Sequence, residues 1–469
     1  MKRNLLLLLL LVGIVIVPGC STRAPKYTRP KAPVPADWPT GPAYQQAATA
    51  TNAPQAVDLK WQEFFTDENL QKTIAMALQN NRDLRLAALN LERARALYGI
   101  QRAELLPAVS ATASGSKQRI PANVMGFPQP LTIKRYDVNL GLAAWEIDFF
   151  GRIRSLKDEA LQAYLATEQA RRSAQLLLVS AVAQAYLTLA ADRENLQLAE
   201  TTLQTQQSAY DLVKRRVDLG LVPELDLHRA QTQVDAARGD IARYTQQVAQ
   251  DENALNLLTG TPPPTALLPT NLKGVTPPQE ITAGVSSEVL LRRPDVLQAE
   301  NLLKAANADI GAARAAFFPR ISLIAAMGTA SSDLSGLFKA GAGAWNYAPQ
   351  IVMPIFDARL WPAHRAAKVQ REIAVTQYEK AIQTAFREVA DALAIRGTVD
   401  QQVAAQQSLV NAVAETHRLA VSRYEKGIDS YLSVLDAQRS LYAAQEGLVS
   451  LQLAKLASQV RLYAVLGGG

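Results

Sequence analysis

Cysteine, histidine and methionine are scarce in this chain: one, three and five among 469 residues, with aromatics at only 6%. The single thiol, Cys20, has no partner for an intramolecular disulfide. His228, His364 and His417 stand on separate stretches without a second ligand at metal-binding spacing, so neither a metal site nor a cofactor is expected. No nucleophile elbow, phosphate loop or Cys/His cluster occurs; with no catalytic residue to name, the chain reads as something other than an enzyme. The 49 basic and 42 acidic residues are spread without any Lys/Arg cluster, which argues against nucleic acid as a partner. After residue 20 no uninterrupted apolar run reaches the roughly 20 residues of a membrane helix. Any membrane-crossing part must therefore be β.

What is present begins at the N-terminus. A short basic start (Lys2, Arg3), an apolar stretch from Leu5 to Val17 and then Pro18-Gly19-Cys20 predict a signal peptide over 1–19. A cysteine at that place resembles the lipobox of bacterial lipoproteins, with Pro18 departing from the usual pattern. The resemblance implies acylation of Cys20, and Ser21 in place of an aspartate implies sorting to the outer membrane. Residues 20–60 carry Pro25, Pro30, Pro33, Pro35, Pro39, Pro42 and Pro54, a density that excludes helix and central strand and predicts an extended, lipid-anchored tether.

The rest of the chain is written twice. Residues 81–110 laid on 293–322 match without a gap at Asp83/Asp295, Ala87/Ala299, Leu91/Leu303, Ala94/Ala306, Ala96/Ala308, Gly99/Gly311, Arg102/Arg314, Ala103/Ala315, Pro107/Pro319 and Ser110/Ser322. A second block sets Arg216, Gly220, Ala230 and Gln231 on Arg423, Gly427, Ala437 and Gln438. Two structural repeats are expected, 61–270 and 271–469. Each has a helix (67–105; 286–317), two β segments, and a long helix pair turning at a glycine (153–258; 360–465). Val182, Leu189, Leu196, Leu203, Tyr210 and Val217 are spaced by seven. Leu227, Ala230, Val234, Ala237, Ile241, Tyr244, Val248, Leu255 and Leu258 follow alternating 3-4 spacing, broken only at Asp251, and Val434, Ala437, Leu441, Ala444, Leu448 and Leu451 keep the same phase. That is a coiled-coil seam. The proline- and glycine-free run from Ile153 to Leu219 predicts a helix on the order of 100 Å long, too long for a compact globule.

Segments 108–118, 136–147, 320–330 and 343–355 read as strands of the length a tilted membrane barrel needs, and Trp345 and Tyr347 suit an interfacial girdle. Residues 116–134 and 331–342 read as the connecting loops. A small soluble sheet capping the helices is the alternative. Four strands cannot close a membrane barrel, whose smallest forms have about eight, so several chains must contribute.

Signal, candidate acylated cysteine, proline tether and duplicated layout join two further segments, Arg216…Gly220…Leu225-Asp226-Leu227…Ala230-Gln231 and Arg423-Tyr424-Glu425-Lys426-Gly427…Leu435-Asp436-Ala437-Gln438-Arg439. Together with Ala77-Leu78-Gln79-Asn80-Asn81, they resemble the TolC-type outer membrane factors, in particular the lipoprotein branch serving resistance-nodulation-division (RND) pumps. The resemblance runs from Trp61 onward. It implies a mainly α fold with a small β part, assembled as a homotrimer with a twelve-stranded barrel in outer-membrane lipid, continuous with a periplasmic α-barrel. It also implies a periplasmic adaptor protein and an inner-membrane RND transporter as partners, and export of drugs or other small molecules. In the family the turns form the periplasmic tip. The matching positions here are Arg423, Tyr424, Asp436 and Arg439 for a gate, with Gly220, Leu221, Val222, Pro223, Gly427, Ile428, Asp429 and Ser430 for adaptor contact. The spacing of Asp436 and Arg439 equally fits an i,i+3 ion pair on one helix surface. A type I secretion duct and a periplasmic coiled-coil adaptor or scaffold lipoprotein are the alternative functions.

Overall fold

The computed structural model describes residues 22–44, 56–125, 128–283 and 286–468; Cys20, the expected signal segment and Pro54 lie outside the described residues. Seven helices carry most of the chain: α1 (Glu68–Asn80), α2 (Arg82–Ala103), α3 (Arg152–Asp218), α4 (Glu224–Thr259), α5 (Pro294–Ala315), α6 (Leu360–Glu425) and α7 (Tyr431–Val465). Helices α2 and α5 start and stop at the positions that the sequence repeat pairs with each other. The helix expected over 67–105 is two helices. Asn81 takes an extended ψ of 131°, its Oδ1 accepts from the Leu84 amide at 2.9 Å, and its Nδ2 donates to the Leu258 carbonyl at 3.0 Å. One residue thus ends α1 and caps α2. The helix expected over 286–317 is likewise divided. A 3-10 turn, Ser287–Arg292, ends at Arg293, whose guanidinium bonds the Val465 carbonyl, Asp295 and Glu388, and α5 begins at Pro294, where a missing N–H costs nothing.

The β part is one antiparallel meander, β1 (Val109–Ile120), β2 (Leu131–Ile147), β3 (Arg320–Ser331) and β4 (Gly343–Val352), hydrogen-bonded in that order. The ribbons of the two repeats join through β2 and β3. The first expected loop, 116–134, is corrected: pairing continues through Lys117↔Lys134 to Ile120↔Leu131, leaving 121–130 as the connection. Strand β4 ends at Val352 instead of 355, ahead of Pro354, which has no amide to donate.

The chain forms two compact units, and each takes segments from both repeats: Met1–Lys31, Asn90–Thr167 and Gln298–Tyr378; and Ala32–Leu89, Glu168–Leu297 and Glu379–Gly469. In the first, the segment expected to be a tether is extended but docked along α5. Arg29 grips Glu300 through two bonds of 3.1 and 2.6 Å, Tyr27 donates to the same carboxylate, Asn307 donates to the Pro25 carbonyl at 2.7 Å, and Arg23 lies 4.7 Å over the Phe318 ring. Gly311 is required here, since a Cβ on it would meet the Ala24 amide at 2.7 Å and the Ser155 hydroxyl at 2.5 Å. In the second unit, Phe64 stacks on Tyr463 with centroids 4.2 Å apart, and the Tyr463 hydroxyl donates to the Leu59 carbonyl at 3.0 Å. Helix α3 contains an 18-residue window apolar enough to cross a membrane, but it is 56% buried, with Val179, Val182, Ala183, Tyr186, Leu187, Leu189 and Ala190 in the core. Its hydropathy reflects packing in the protein.

Candidate functional site

Directly opposed strand residues share a face, so the register sorts the sheet. One face carries Ile147, Ile321 and Ile351; Trp145, Leu323 and Pro349; Val109, Leu142, Ala325 and Tyr347; and Ala111, Leu140, Met327 and Trp345. The other carries Ser110, Thr112, Ser114, Asp137, Asn139, Ser322, Asn346 and Gln350. The apolar face is bare: Leu140 is 53% exposed, Met327 68%, Trp345 81% and Ile351 68%. A bulge at Ala143 and Ala144 (φ 53°) keeps it continuous by moving Trp145 and Ile147 into the apolar rows. Strict alternation would have placed Ala144 there instead. On the polar face Asp137 accepts from Ser114 at 2.8 Å and Arg135 at 3.1 Å. Among the described residues neither the outer edge of β1 nor that of β4 has a strand partner.

The two glycine turns are built alike. Gly220 (φ 70°) and Gly427 (φ 74°) take the left-handed conformation after α3 and α6. The next amides, Leu221 and Ile428, reach back to the Arg216 and Arg423 carbonyls at 2.8 and 2.9 Å, while the glycine amides bond Val217 and Tyr424 at 2.8 and 3.0 Å. This is the Schellman pattern. Between the hairpins lies a core of Val213, Ala230, Ala420, Tyr431, Val434, Leu435 and Ala437, with Tyr424 packed against it. Tyr424 sits 5.2 Å from the Tyr431 ring, and the Arg216 guanidinium stands 5.2 Å over it. Burial pushes the Tyr431 hydroxyl up to about 12.

Asp436 and Arg439 are both exposed, on the side of α7 away from its buried Val434 and Ala437. They make no ion pair with each other among the described residues. Arg439 instead donates to Gln233 of the other hairpin at 3.2 Å; in the first copy Arg229, which matches Asp436, pairs with Asp226 at 3.4 Å. Arg423 is held by Asp429 at 2.6 and 3.1 Å, which lowers the Asp429 carboxyl from its ordinary range. The structure thus joins a residue from the expected gate set to one from the expected adaptor set. Gln233 and Arg216 were not legible as members, because nothing in a heptad pattern says which hairpin faces which. Around the turns Leu219, Leu221, Leu225, Ile428 and Leu432 are exposed at 73, 68, 57, 58 and 43%. Of the histidines, His228 is exposed near Glu224 and His364 lies edge-on to Phe317; no group of three metal-ligating side chains occurs among the described residues.

The family model for outer membrane efflux proteins matches residues 73–261 and 285–468. The chain is 49% identical over 464 residues to the toluene efflux pump outer membrane protein TtgC of Pseudomonas putida, covering 99% of this chain and 95% of that protein. It matches the antibiotic efflux pump outer membrane protein ArpC of the same species to the same extent. The open state of the Neisseria gonorrhoeae MtrE outer membrane channel superposes with a TM-score of 0.86 at 38% identity, covering 96% of this chain and 98% of that one. A sheet with one lipid-compatible face, two turning helix pairs and this breadth of likeness have one explanation: the chain belongs to the outer membrane efflux protein family and is an outer-membrane efflux channel.

Proposed function

We propose that this chain assembles as a homotrimer serving as the passive exit duct of a tripartite efflux pump. The observation that carries the reading is the four-stranded sheet, apolar on one face, polar on the other and, among the described residues, unpaired at both edges. Open edges are not tolerated in lipid, so neighbouring copies supply the missing strands. The strand count requires more than one copy, and the number three is what the likeness to the outer membrane efflux family implies. The duct does no catalysis, and its energy comes from an inner-membrane RND transporter. Its cargo is small and amphiphilic, of the kind the toluene and antibiotic pump relatives are named for.

A periplasmic adaptor engages the exposed apolar rim at the turns, around 220–223 and 427–430. Cys20 carries the lipid. Arg423, Tyr424, Asp436 and Arg439 close the tip across copies: the Asp436 carboxylate faces away from its own helix seam, free to take a charged partner from a neighbour. In planar bilayers the purified protein gives discrete conductance steps, and Asp436→Ala with Arg439→Ala raises the current. Absence of steps would refute the duct, and an unchanged current in the double variant would refute the gate.

A further inference from the structure

The apolar face of the sheet does not end on neutral residues. From the Ile321 row to the Ser331 row is about 33 Å along β3, or about 25 Å along the membrane normal at the usual barrel tilt, the height of a membrane apolar band. The last row of that band pairs Gly115 with Tyr136, and the next row on the same face pairs Lys117 directly with Lys134. Arg119, opposite Thr132, follows. All three basic side chains are exposed, and none makes an ion pair among the described residues. Between Gly115 and Tyr136 the sequence has no Asp or Glu. The fourth base of the ribbon, Arg135, is on the opposite face and has Asp137 as its partner at 3.1 Å.

Two lysines directly opposed on a ribbon repel each other, and nothing in the ribbon offsets the repulsion. Their height, about 5 Å beyond the Tyr136 row along the normal, is that of lipid headgroups, not of lipid tails. We propose that Lys117, Lys134 and Arg119 form a docking row for the phosphate groups of lipid headgroups in the outer leaflet. Flexible ammonium groups and a forked guanidinium on one face suit several phosphate oxygens at once, and the aromatic ring of Tyr136 just below suits the boundary between headgroup and acyl chain. The phosphates bound there neutralise the row and fix the height of the barrel in the membrane. The same three residues would have no such use on a sheet that caps a soluble helix bundle, so the proposal rests on the outer-membrane reading above.

The test uses the full chain purified in an uncharged detergent and titrated with lipid A bearing two phosphates, with the same lipid stripped of phosphate, and with inorganic phosphate. Bound lipid is read by native mass spectrometry, and stability by the thermal unfolding midpoint. The phosphorylated lipid is expected to bind and raise the midpoint, with the stripped lipid and free phosphate doing neither at equal concentration. Lys117→Gln, Arg119→Gln and Lys134→Gln together should weaken phosphate-dependent binding by on the order of a hundredfold, about fivefold for each charge removed near an anionic surface. The charge-keeping set Lys117→Arg, Arg119→Lys and Lys134→Arg should retain it, separating loss of charge from loss of fold. Equal binding of the two lipids, or an undiminished effect in the Gln variant, would overturn the proposal while leaving the channel intact. A protein that stays dispersed without detergent and binds neither lipid would instead overturn the outer-membrane reading itself.

Discussion

Asp251 occupies a seam position of α4 where the heptad asks for an apolar side chain. Burial first, and then the hydrogen-bonded carboxyl of Asp192 on α3, push its carboxyl up to about 7. The matching residue of the second copy, Ser458, is 4% exposed and neutral, its hydroxyl donating to the Lys455 carbonyl at 2.7 Å. An aspartate in the unfolded chain titrates near 3.9. Between that value and about 7 the folded protein keeps a proton that the unfolded chain has released, so stability falls as pH rises through this window and levels off above it. Asp251→Asn, which cannot ionise, should raise the unfolding midpoint at pH 8 and leave it nearly unchanged at pH 4. Thermal unfolding followed by circular dichroism at both pH values checks this. A gain of equal size at both would mean that ionisation of Asp251 is not what weakens the seam.

The two glycine turns can be compared as elements, because nothing lies within 4 Å of where a Cβ would stand on Gly220 or Gly427. Alanine at either meets only the backbone cost of the left-handed conformation, about 1 kcal/mol. Gly220→Ala and Gly427→Ala should each make the Leu221 or Ile428 amide exchange roughly fivefold faster, by opening the bond to Arg216 or Arg423. Asparagine, which tolerates that conformation, should cost less. Hydrogen exchange read by mass spectrometry at the tip peptides decides it, and unaltered rates in the alanine variants would contradict the account. These turns and the seams were legible because glycine and heptad spacing are local signals. The breaks at Asn81 and Arg293 were not, since each depends on a side chain meeting a carbonyl far away in sequence, Leu258 or Val465. Nor was the reach of β2 back to Leu131, where Lys134, Arg135 and Thr132 lack the alternation that marked the rest. At the turns, the partner of Arg439, Gln233, follows from how the hairpins face each other, which no local pattern states.

At the scale of the whole molecule, the repeat gives an internal control for what a single chain leaves unfinished. Helix α5 is covered: Leu303 is 1% exposed, Ile310 2% and Ala315 4%. Helix α2, at the matching place in the first copy, has no buried residue at all, and its Leu86, Leu89, Leu97 and Ile100 are 58, 52, 51 and 65% exposed. The two copies of one design differ in their surroundings: α5 has the N-terminal strap along one side, and among the described residues α2 has no such segment. A stripe of four large aliphatic side chains is costly to leave in water; burying each fully is worth about 1.5–3 kcal/mol. A neighbouring copy is the natural cover, since it must already approach to complete the sheet. Leu89→Glu with Ile100→Glu should therefore preserve helix content, because both side chains are more than half exposed in the single chain, yet shift the detergent-solubilised protein from trimer to monomer in size-exclusion chromatography with light scattering. Leu303→Glu in the covered helix should instead lower the stability of the chain itself. If the double variant still runs as a trimer with the unfolding midpoint of the parent protein, α2 is a lipid- or solvent-facing helix, and the contact between copies must be sought on other elements.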